Sequence, residues 1–247
     1  MIRKSILVIA CVLSANFLLA QQKTKADSIE PKMQWFADAK LGIFIHYGIY
    51  AVKGVDESWS FYNKKISHAD YMQQMNGFTA KNYNPEALAG LIKESGARYA
   101  VITTKHHDGV ALWPTQQDHY SVVKNTPAKR DLLQPFYAAL ENRGIKKGAY
   151  FSLIDWSHED YPAITKDSNR YTITNEPQRW QRFQNFFQSQ IAEVATAYKP
   201  DLWWFDGDWE HSAEEWQSET VRNTILAKKP AAILNGRLQG YGDYDTP

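Results

Sequence analysis

The chain has 247 residues, of which 44% are hydrophobic and 22% are charged, so it can bury the core of one large domain and is not generally disordered. Its 28 lysines and arginines nearly balance its 27 aspartates and glutamates, which argues against a nucleic acid partner held through its phosphates. The single cysteine, Cys11, excludes an internal disulfide framework and a metal cage built from thiolates.

The first 20 residues have the pattern of a secretory signal peptide. A short basic start at 1–4 precedes an apolar run that ends at Ala20, and this run is short for a membrane span. We therefore expect cleavage after Ala20 and an exported protein, periplasmic or secreted, with no stable membrane insertion. A lipoprotein cleavage box at 8–11 and an uncleaved anchor are the alternatives. Residues 21–32 are expected to be a polar linker.

Beyond the linker, short apolar runs alternate with amphipathic helical stretches. The predicted elements in chain order are a strand at 41–46, a helix at 85–96, a strand at 98–104, a helix at 131–143, a strand at 147–153, a helix at 177–198, a strand at 202–205, a helix at 213–228 and a strand at 231–235. Strands separated by helices pair in parallel, and strands that are apolar along their length are buried on both faces.

Polar residues follow the C-terminal end of each predicted strand. They are His46, the segment 105–108, Asp155 and Trp156, Asp206, and the segment 235–237. This placement is typical of a (β/α)8-type TIM barrel, an α/β fold whose catalytic loops share one face. A doubly wound sheet is the competing architecture, but no glycine-rich phosphate loop follows the first strand. Five βα units out of eight predict an incomplete barrel, the N-terminal portion of a catalytic domain, over residues 33–247.

Asp206 is the first candidate for chemistry. It ends the aromatic strand Leu202-Trp-Trp-Phe205, which would deliver a carboxylate beside Trp204 to the functional face. Such a carboxylate can attack the anomeric carbon of a sugar and stabilise positive charge there. Taken alone, an aspartate in this position could equally cap the following loop.

His106 and His107 are the second candidates. Adjacent histidines in an extended segment point to opposite faces, so they are poorly placed to chelate one metal ion, although His46 or Asp206 could be proposed as a third ligand. A neutral imidazole offers one donor and one acceptor, which suits sugar hydroxyls. We expect sugar binding without metal or cofactor; the alternative is that one of the two is structural.

Four segments together carry a resemblance to a known family. They are 35–48, containing Phe44-Ile-His-Tyr-Gly48; Glu57-Ser-Trp59; Thr104-Lys-His-His-Asp-Gly109; and Trp204-Phe-Asp-Gly207. In order and spacing they resemble the α-L-fucosidases of glycoside hydrolase family 29. The resemblance implies a catalytic (β/α) barrel, usually followed by a β-sandwich, and retaining hydrolysis of terminal α-L-fucose from fucosylated glycans or glycoconjugates.

The resemblance also implies roles for individual residues. Asp206 would be the nucleophile, and the groups around the fucose would be His46, Glu57, Trp59, His106, His107, Trp204 and Arg237, with Tyr150 or Phe151 as an aromatic wall. Ser58 is a departure, because it separates a Glu–Trp pair that is adjacent in many members.

The acid/base carboxyl is the second departure. Retention requires a second carboxyl about 5–5.5 Å from the nucleophile. The resemblance places that glutamate directly after a Thr-Pro like Thr246-Pro247, or further downstream, and Glu210, Glu214 and Glu215 do not match it. We therefore expect a truncated chain that lacks the acid/base. The alternatives are a non-catalytic fucose-binding remnant and a glycosidase of the same fold acting on a related sugar such as galactose.

Overall fold

The computed structural model describes residues 29–246. The predicted signal peptide and most of the predicted linker lie outside the described residues. The chain divides into two compact units, one up to Asp38 and one from Ala39 onward. Within the described part, no helix is both long and apolar enough to cross a membrane.

The elements of the structure follow the predicted alternation. The strands are β1 (Gly42–Ile45), β2 (Tyr99–Lys105), β3 (Lys146–Ser152), β4 (Ala163–Thr165), β5 (Ser168–Asn169), β6 (Leu202–Asp206) and β7 (Ile233–Leu234). The helices are α1 (Gln34–Ala39), α2 (Trp59–Tyr62), α3 (His68–Met72), α4 (Pro85–Glu94), α5 (Val122–Asn125), α6 (Leu133–Glu141), α7 (Pro177–Ala197), α8 (Ala213–Trp216) and α9 (Ser218–Lys228). Short 3₁₀ turns occur at Pro31–Met33, Ile49–Val52, Gln73–Gly77 and Asp208–Glu210.

Five strands form one parallel sheet in the order β1-β2-β3-β6-β7. This confirms the predicted α/β fold with a parallel sheet, consistent with part of a barrel. Strands β4 and β5 form a separate antiparallel hairpin that the hydrophobic pattern did not indicate. In parallel sheets the carboxyl ends of the strands share one edge, so the polar residues that follow them are brought together.

Strand β6 shows how the sheet presents its site residues. Trp203 and Phe205 are fully buried and stack on each other with their ring centroids 5.7 Å apart. Trp204 and Asp206 alternate with them and are only half-buried, because side chains along a strand point to opposite faces. The expectation that both faces of the strands are buried along their length is therefore wrong for this face of β6.

The predicted helix at 213–228 is two helices. Gln217 lies in the left-handed region with φ 50°, and it ends α8 and precedes α9. Two side chains of α7 hold this junction: the amide of Gln184 donates to the carbonyl of Glu215, and the amide of Gln188 donates to Oε1 of Gln217. These long-range contacts are invisible to a periodicity of hydrophobic residues.

Candidate active site

Asp206 is held by two hydrogen-bond donors at the carboxyl edge of the sheet. The hydroxyl of Tyr150 donates to its Oδ2 at 2.8 Å, and Nη1 of Arg237 donates to its Oδ1 at 2.7 Å. Tyr150 is buried on β3, and burial together with the negative charge of Asp206 raises the pKa of its phenol well above the usual value. The phenol therefore stays protonated and donates, and the two donors fix the orientation of the Asp206 side chain.

His107 points an unprotonated nitrogen toward Asp206. Its Nδ1 lies 2.6 Å from Oγ of Ser152, whose own hydroxyl donates to the carbonyl of Ile154 at 2.7 Å. Because that hydroxyl proton is already used, Nδ1 carries the imidazole proton and Nε2 does not. Burial, and next the positive charge of Lys105, lower the pKa of His107 to about 3, so the ring is neutral near pH 7.

The Nε2 atom of His107 is a buried acceptor facing the carboxylate. It lies 3.8 Å from Oδ2 of Asp206, and among the described residues it has no hydrogen-bond partner. A buried acceptor without a partner is costly unless a ligand supplies a donor. A hydroxyl placed beside Asp206 would satisfy it.

Glu57 joins two further histidines at the same edge. Its Oε1 lies 2.6 Å from Nδ1 of His46, and its Oε2 lies 3.5 Å from Nε2 of His106. The hydrogen bond from His46 is the main reason that the pKa of Glu57 is lowered. Glu57 sits at φ 42°, a strained conformation for a residue with a side chain, which places its carboxylate between the two rings.

Ser58, the residue that separates Glu57 from Trp59, has a contact of its own in the site. Its Oγ lies 2.6 Å from Nδ1 of His106 and so orients that ring. From the sequence, Ser58 was noted only as a departure from the family pattern, and Ser152 was not predicted to be a site residue. Their position next to candidate residues, at 57–59 and at the end of a predicted strand, was the available signal.

The two adjacent histidines do not diverge as predicted. The ring centroids of His106 and His107 are 4.3 Å apart, and both rings are buried at the site. Strand β2 ends at Lys105, and its pairing with β3 shifts register between Thr103 and Lys105. The extended backbone on which the prediction rested has therefore ended before the histidine pair.

Aromatic side chains line the open side of the site. Trp204 and Tyr150 both pack edge-on against Phe44 of β1, with ring centroids 5.1 Å and 5.9 Å away. Phe151 is buried on the other face of β3, where Nζ of Lys105 lies 4.8 Å from the centroid of its ring. Tyr150 is therefore the residue that faces Asp206. Phe44 is 38% exposed, but its place in an apolar predicted strand gave no sign that it belongs to the site.

Trp59 packs against His107. Its ring lies edge-on to His107 at 5.4 Å and stacks on Trp209 at 6.3 Å with an interplanar angle of 17°. Phe44 contacts both Trp204 and Tyr150 and so connects Trp204 to the rest of the site. The structure thus brings the nine predicted site residues into one contiguous cluster. They are His46, Glu57, Trp59, His106, His107, Tyr150, Trp204, Asp206 and Arg237. The role of each stays a prediction.

A buried charged network lies behind the histidine pair. The Nζ atom of Lys105 is 3.4 Å from Oδ2 of Asp155, and both side chains are fully buried. Asp155 also contacts Nε2 of His119 at 3.2 Å and accepts from the backbone of His158 at 3.0 Å. Burial alone would raise the pKa of Asp155, but the charges of His119 and Lys105 outweigh it and lower the pKa.

Gly109, the last residue of the segment 104–109 that contains the two histidines, packs against this network. It adopts φ +78°, and a Cβ atom at this position would lie 2.3 Å from Oδ1 of Asp155 and 2.6 Å from Nε2 of His119. The backbone amide of Trp156 donates to the carbonyl of His107 at 2.9 Å, so the network also positions the site. Lys105, His119 and Asp155 are therefore supports that the sequence analysis did not identify as such.

His46, Glu57 and His106 offer ligand atoms within 4.8 Å of one another, a spacing that a metal ion can use. In the structure these groups already bind one another and Ser58, so we expect no metal to be needed. Dialysis against EDTA should leave the melting temperature unchanged, and elemental analysis should find no stoichiometric metal. A zinc-dependent rise in melting temperature that disappears in Glu57→Gln would contradict this expectation.

The known proteins to which this chain is similar, as described below, are α-L-fucosidases. The family model described as "Alpha-L-fucosidase" matches residues 11–246. The tissue α-L-fucosidase of Bos taurus is 33% identical over 229 residues, covering 84% of this chain and 46% of that protein. The corresponding protein of Homo sapiens is 31% identical over 232 residues, covering 84% of this chain and 47% of that protein. The chain thus spans about half the length of the curated relatives it matches.

Solved structures give the same result. The α-L-fucosidase isoenzyme 1 of Paenibacillus thiaminolyticus is 32% identical, with a TM-score of 0.78 over 88% of this chain and 55% of that one. A family 29 α-L-fucosidase of Bacteroides thetaiotaomicron, trapped as a covalent intermediate with 2-fluoro-fucosyl fluoride, is 32% identical, with a TM-score of 0.75 over 88% of this chain and 52% of that one.

Proposed function

The chain belongs to the α-L-fucosidase family, and we propose that it carries the nucleophile and the fucose-binding groups of a retaining glycosidase. In this proposal Asp206 attacks C1 of a terminal α-L-fucose, and the bond from C1 to the leaving oxygen breaks as the bond from C1 to the carboxylate oxygen forms. Water then cleaves the resulting ester and releases fucose with its original configuration.

The observation that carries the proposal is the arrangement around Asp206. Tyr150 and Arg237 donate to its two oxygens, which orients the carboxylate, and His107 presents a buried acceptor 3.8 Å away. A sugar hydroxyl that donates to Nε2 of His107 would sit directly beside the attacking carboxylate. Binding and chemistry are therefore coupled through adjacent atoms.

Phe44 and Trp204 support fucose over galactose. They contact each other edge-on at 5.1 Å and are both partly exposed at the site, so they offer an apolar surface beside Asp206. Fucose carries a methyl group where galactose of the same configuration carries a hydroxymethyl group. An apolar surface favours the methyl group, because it would leave the extra hydroxyl without a hydrogen-bond partner.

We assign no described residue to the acid/base role. Glu57 is bound to His46 and His106, and Glu210 accepts hydrogen bonds from Tyr161 and Trp156. A probe whose leaving group needs no protonation can then test the nucleophile on the chain as it stands.

The test is covalent labelling with 2-fluoro-fucosyl fluoride, since fluoride departs without acid assistance. The chain should gain one fucosyl adduct in its intact mass, and peptide mapping should place the adduct on Asp206. Free fucose should slow the labelling, and heat-unfolded chain should not label. The matching probe with the configuration of L-galactose should react at least about tenfold more slowly, as expected for a lost hydrogen bond of about 1.4 kcal/mol.

A non-catalytic fucose-binding remnant is the second candidate, favoured by the completeness of the binding groups around Glu57 and His107. Reversible fucose binding by calorimetry without any adduct would support the remnant and overturn a nucleophilic Asp206. Equal labelling by the two probes would instead favour a glycosidase for a related sugar.

A further inference from the structure

A cavity of about 290 Å³ lies against the turn that follows Asp206 in the chain. Its walls come from Tyr62 of α2, from Trp209 and Glu210 in the 3₁₀ turn after β6, and from the β4–β5 hairpin with Lys166 and Asn169. None of the roles proposed above uses this cavity. Its size is at the lower end of small-molecule sites, enough for one compact ring.

Trp209 lies in the wall of this cavity and also close to His107 of the candidate site. Its ring centroid lies 6.0 Å from that of His107, and the ring is 51% exposed. It follows Asp206 by three residues, so the two Cα atoms are within about 11 Å of each other. Gly207 between them takes φ +82°, which turns the chain sharply after the strand. Trp209 therefore connects the surroundings of His107 and Asp206 with this cavity.

The cavity walls are held by specific contacts. Tyr62 stacks on Trp156 with ring centroids 3.9 Å apart, and Nε1 of Trp156 donates to Oε1 of Glu210 at 3.2 Å. The hydroxyl of Tyr161 donates to Oε2 of Glu210. The hairpin is tied to α2 by the backbone amide of Lys166, which donates to the carbonyl of Tyr62 at 3.2 Å. The cavity is thus preformed.

The chemistry of the walls fits a sugar ring. Tyr62 and Trp209 supply flat aromatic surface, against which the C–H face of a pyranose can pack. Thr165, Lys166 and Asn169 on the hairpin supply donors and acceptors for its hydroxyl groups. Aromatic surface on one side and a polar rim on the other match a pyranose better than a purely apolar ligand.

We propose that this cavity is a second sugar subsite, which binds the pyranose ring next to fucose in a fucosylated glycan. The proposal rests on the proposed function, because it needs fucose at Asp206. It makes Trp209 and the β4–β5 hairpin determinants of glycan preference.

The test compares methyl α-L-fucoside with a panel of fucosyl disaccharides of different linkage, by calorimetry on the full chain. At least one disaccharide should bind about tenfold tighter than the methyl fucoside, the effect of about 1.4 kcal/mol from one stacked ring. Trp209→Ala and Lys166→Ala should each lose most of this gain. Trp209→Phe, which keeps an aromatic ring, should retain more of it. Leu91→Ala, at an exposed apolar residue outside the cavity, is the control.

The outcomes separate this inference from the proposed function. If wild-type chain neither binds methyl fucoside nor reacts with 2-fluoro-fucosyl fluoride, the proposed function fails. If it does both, but every disaccharide binds no tighter than methyl fucoside, the subsite is refuted. Equal losses for methyl fucoside and disaccharide in Lys166→Ala would refute it as well, because Lys166 lies on the hairpin wall.

Discussion

Asp206→Ala should abolish labelling by 2-fluoro-fucosyl fluoride and lower the turnover of an activated aryl fucoside by several orders of magnitude. The reason is that alanine offers no oxygen to bond to C1, while Tyr150 and Arg237 keep donors aimed at the vacated position. The measurements are intact mass after exposure to the probe and the rate of release of the aryl group. Circular dichroism should show the same fold as the wild type.

Asp208→Asn is the matched control for this prediction. Asp208 lies two residues further on, and its Oδ2 accepts a hydrogen bond from the backbone amide of Gln239 at 3.0 Å, a contact that asparagine can keep. Labelling and turnover should stay within a few-fold of wild type. Equal losses in the two variants, or full labelling of Asp206→Ala, would show that another residue is the nucleophile.

Gly109→Ala should destabilise the fold strongly. Alanine is strained at φ +78°, and its Cβ would lie 2.3 Å from Oδ1 of Asp155, so the buried Lys105–Asp155 pair would have to separate. Breaking a buried ion pair by removing one partner costs about 3–5 kcal/mol, and we expect a loss of this order. For a domain of this size, that corresponds to a fall in melting temperature of about 10 °C. Thermal melting followed by circular dichroism measures it.

Gly90→Ala gives the opposite expectation for the same substitution. Gly90 lies inside α4, and a Cβ atom there meets nothing within 4 Å. Alanine should raise the free energy of unfolding by about 0.5–1 kcal/mol, because it favours the helix. A Gly109→Ala variant that melts with the wild type, or a Gly90→Ala variant that loses as much as Gly109→Ala, would contradict the steric argument.

The sequence predicted the sheet well because its strands are apolar and are separated by helices. The parallel order of β1, β2, β3, β6 and β7 follows from that alternation. Asp206 and Arg237 could be expected near each other, since they follow neighbouring strands at the same sheet edge. The break at Gln217 could not be predicted, because it depends on Gln184 and Gln188, which come from a different helix.

The site contacts that the sequence did not predict lie in the loops. Between β1 and α4 the chain has short helices and turns, without the periodicity that predicts side-chain direction. Glu57 at φ 42° and the contact from Ser58 to His106 arise there. Similarly, the histidine pair could not be placed correctly without knowing that β2 ends at Lys105. The proposed cleavage site and export stay predictions, since residues 1–28 lie outside the described part of the chain.

The pairing of Asp206 with Arg237 has a consequence for the charge balance during a reaction cycle. In the resting site the carboxylate and the guanidinium, 2.7 Å apart, neutralise each other. Turning Asp206 into a glycosyl ester removes its negative charge, so the positive charge of Arg237 is then balanced less well by its surroundings. Attraction between opposite charges in a partly buried pocket favours the carboxylate over the ester. If Asp206 is the nucleophile, as we propose, Arg237 would thereby raise the energy of the glycosyl ester and favour its cleavage by water.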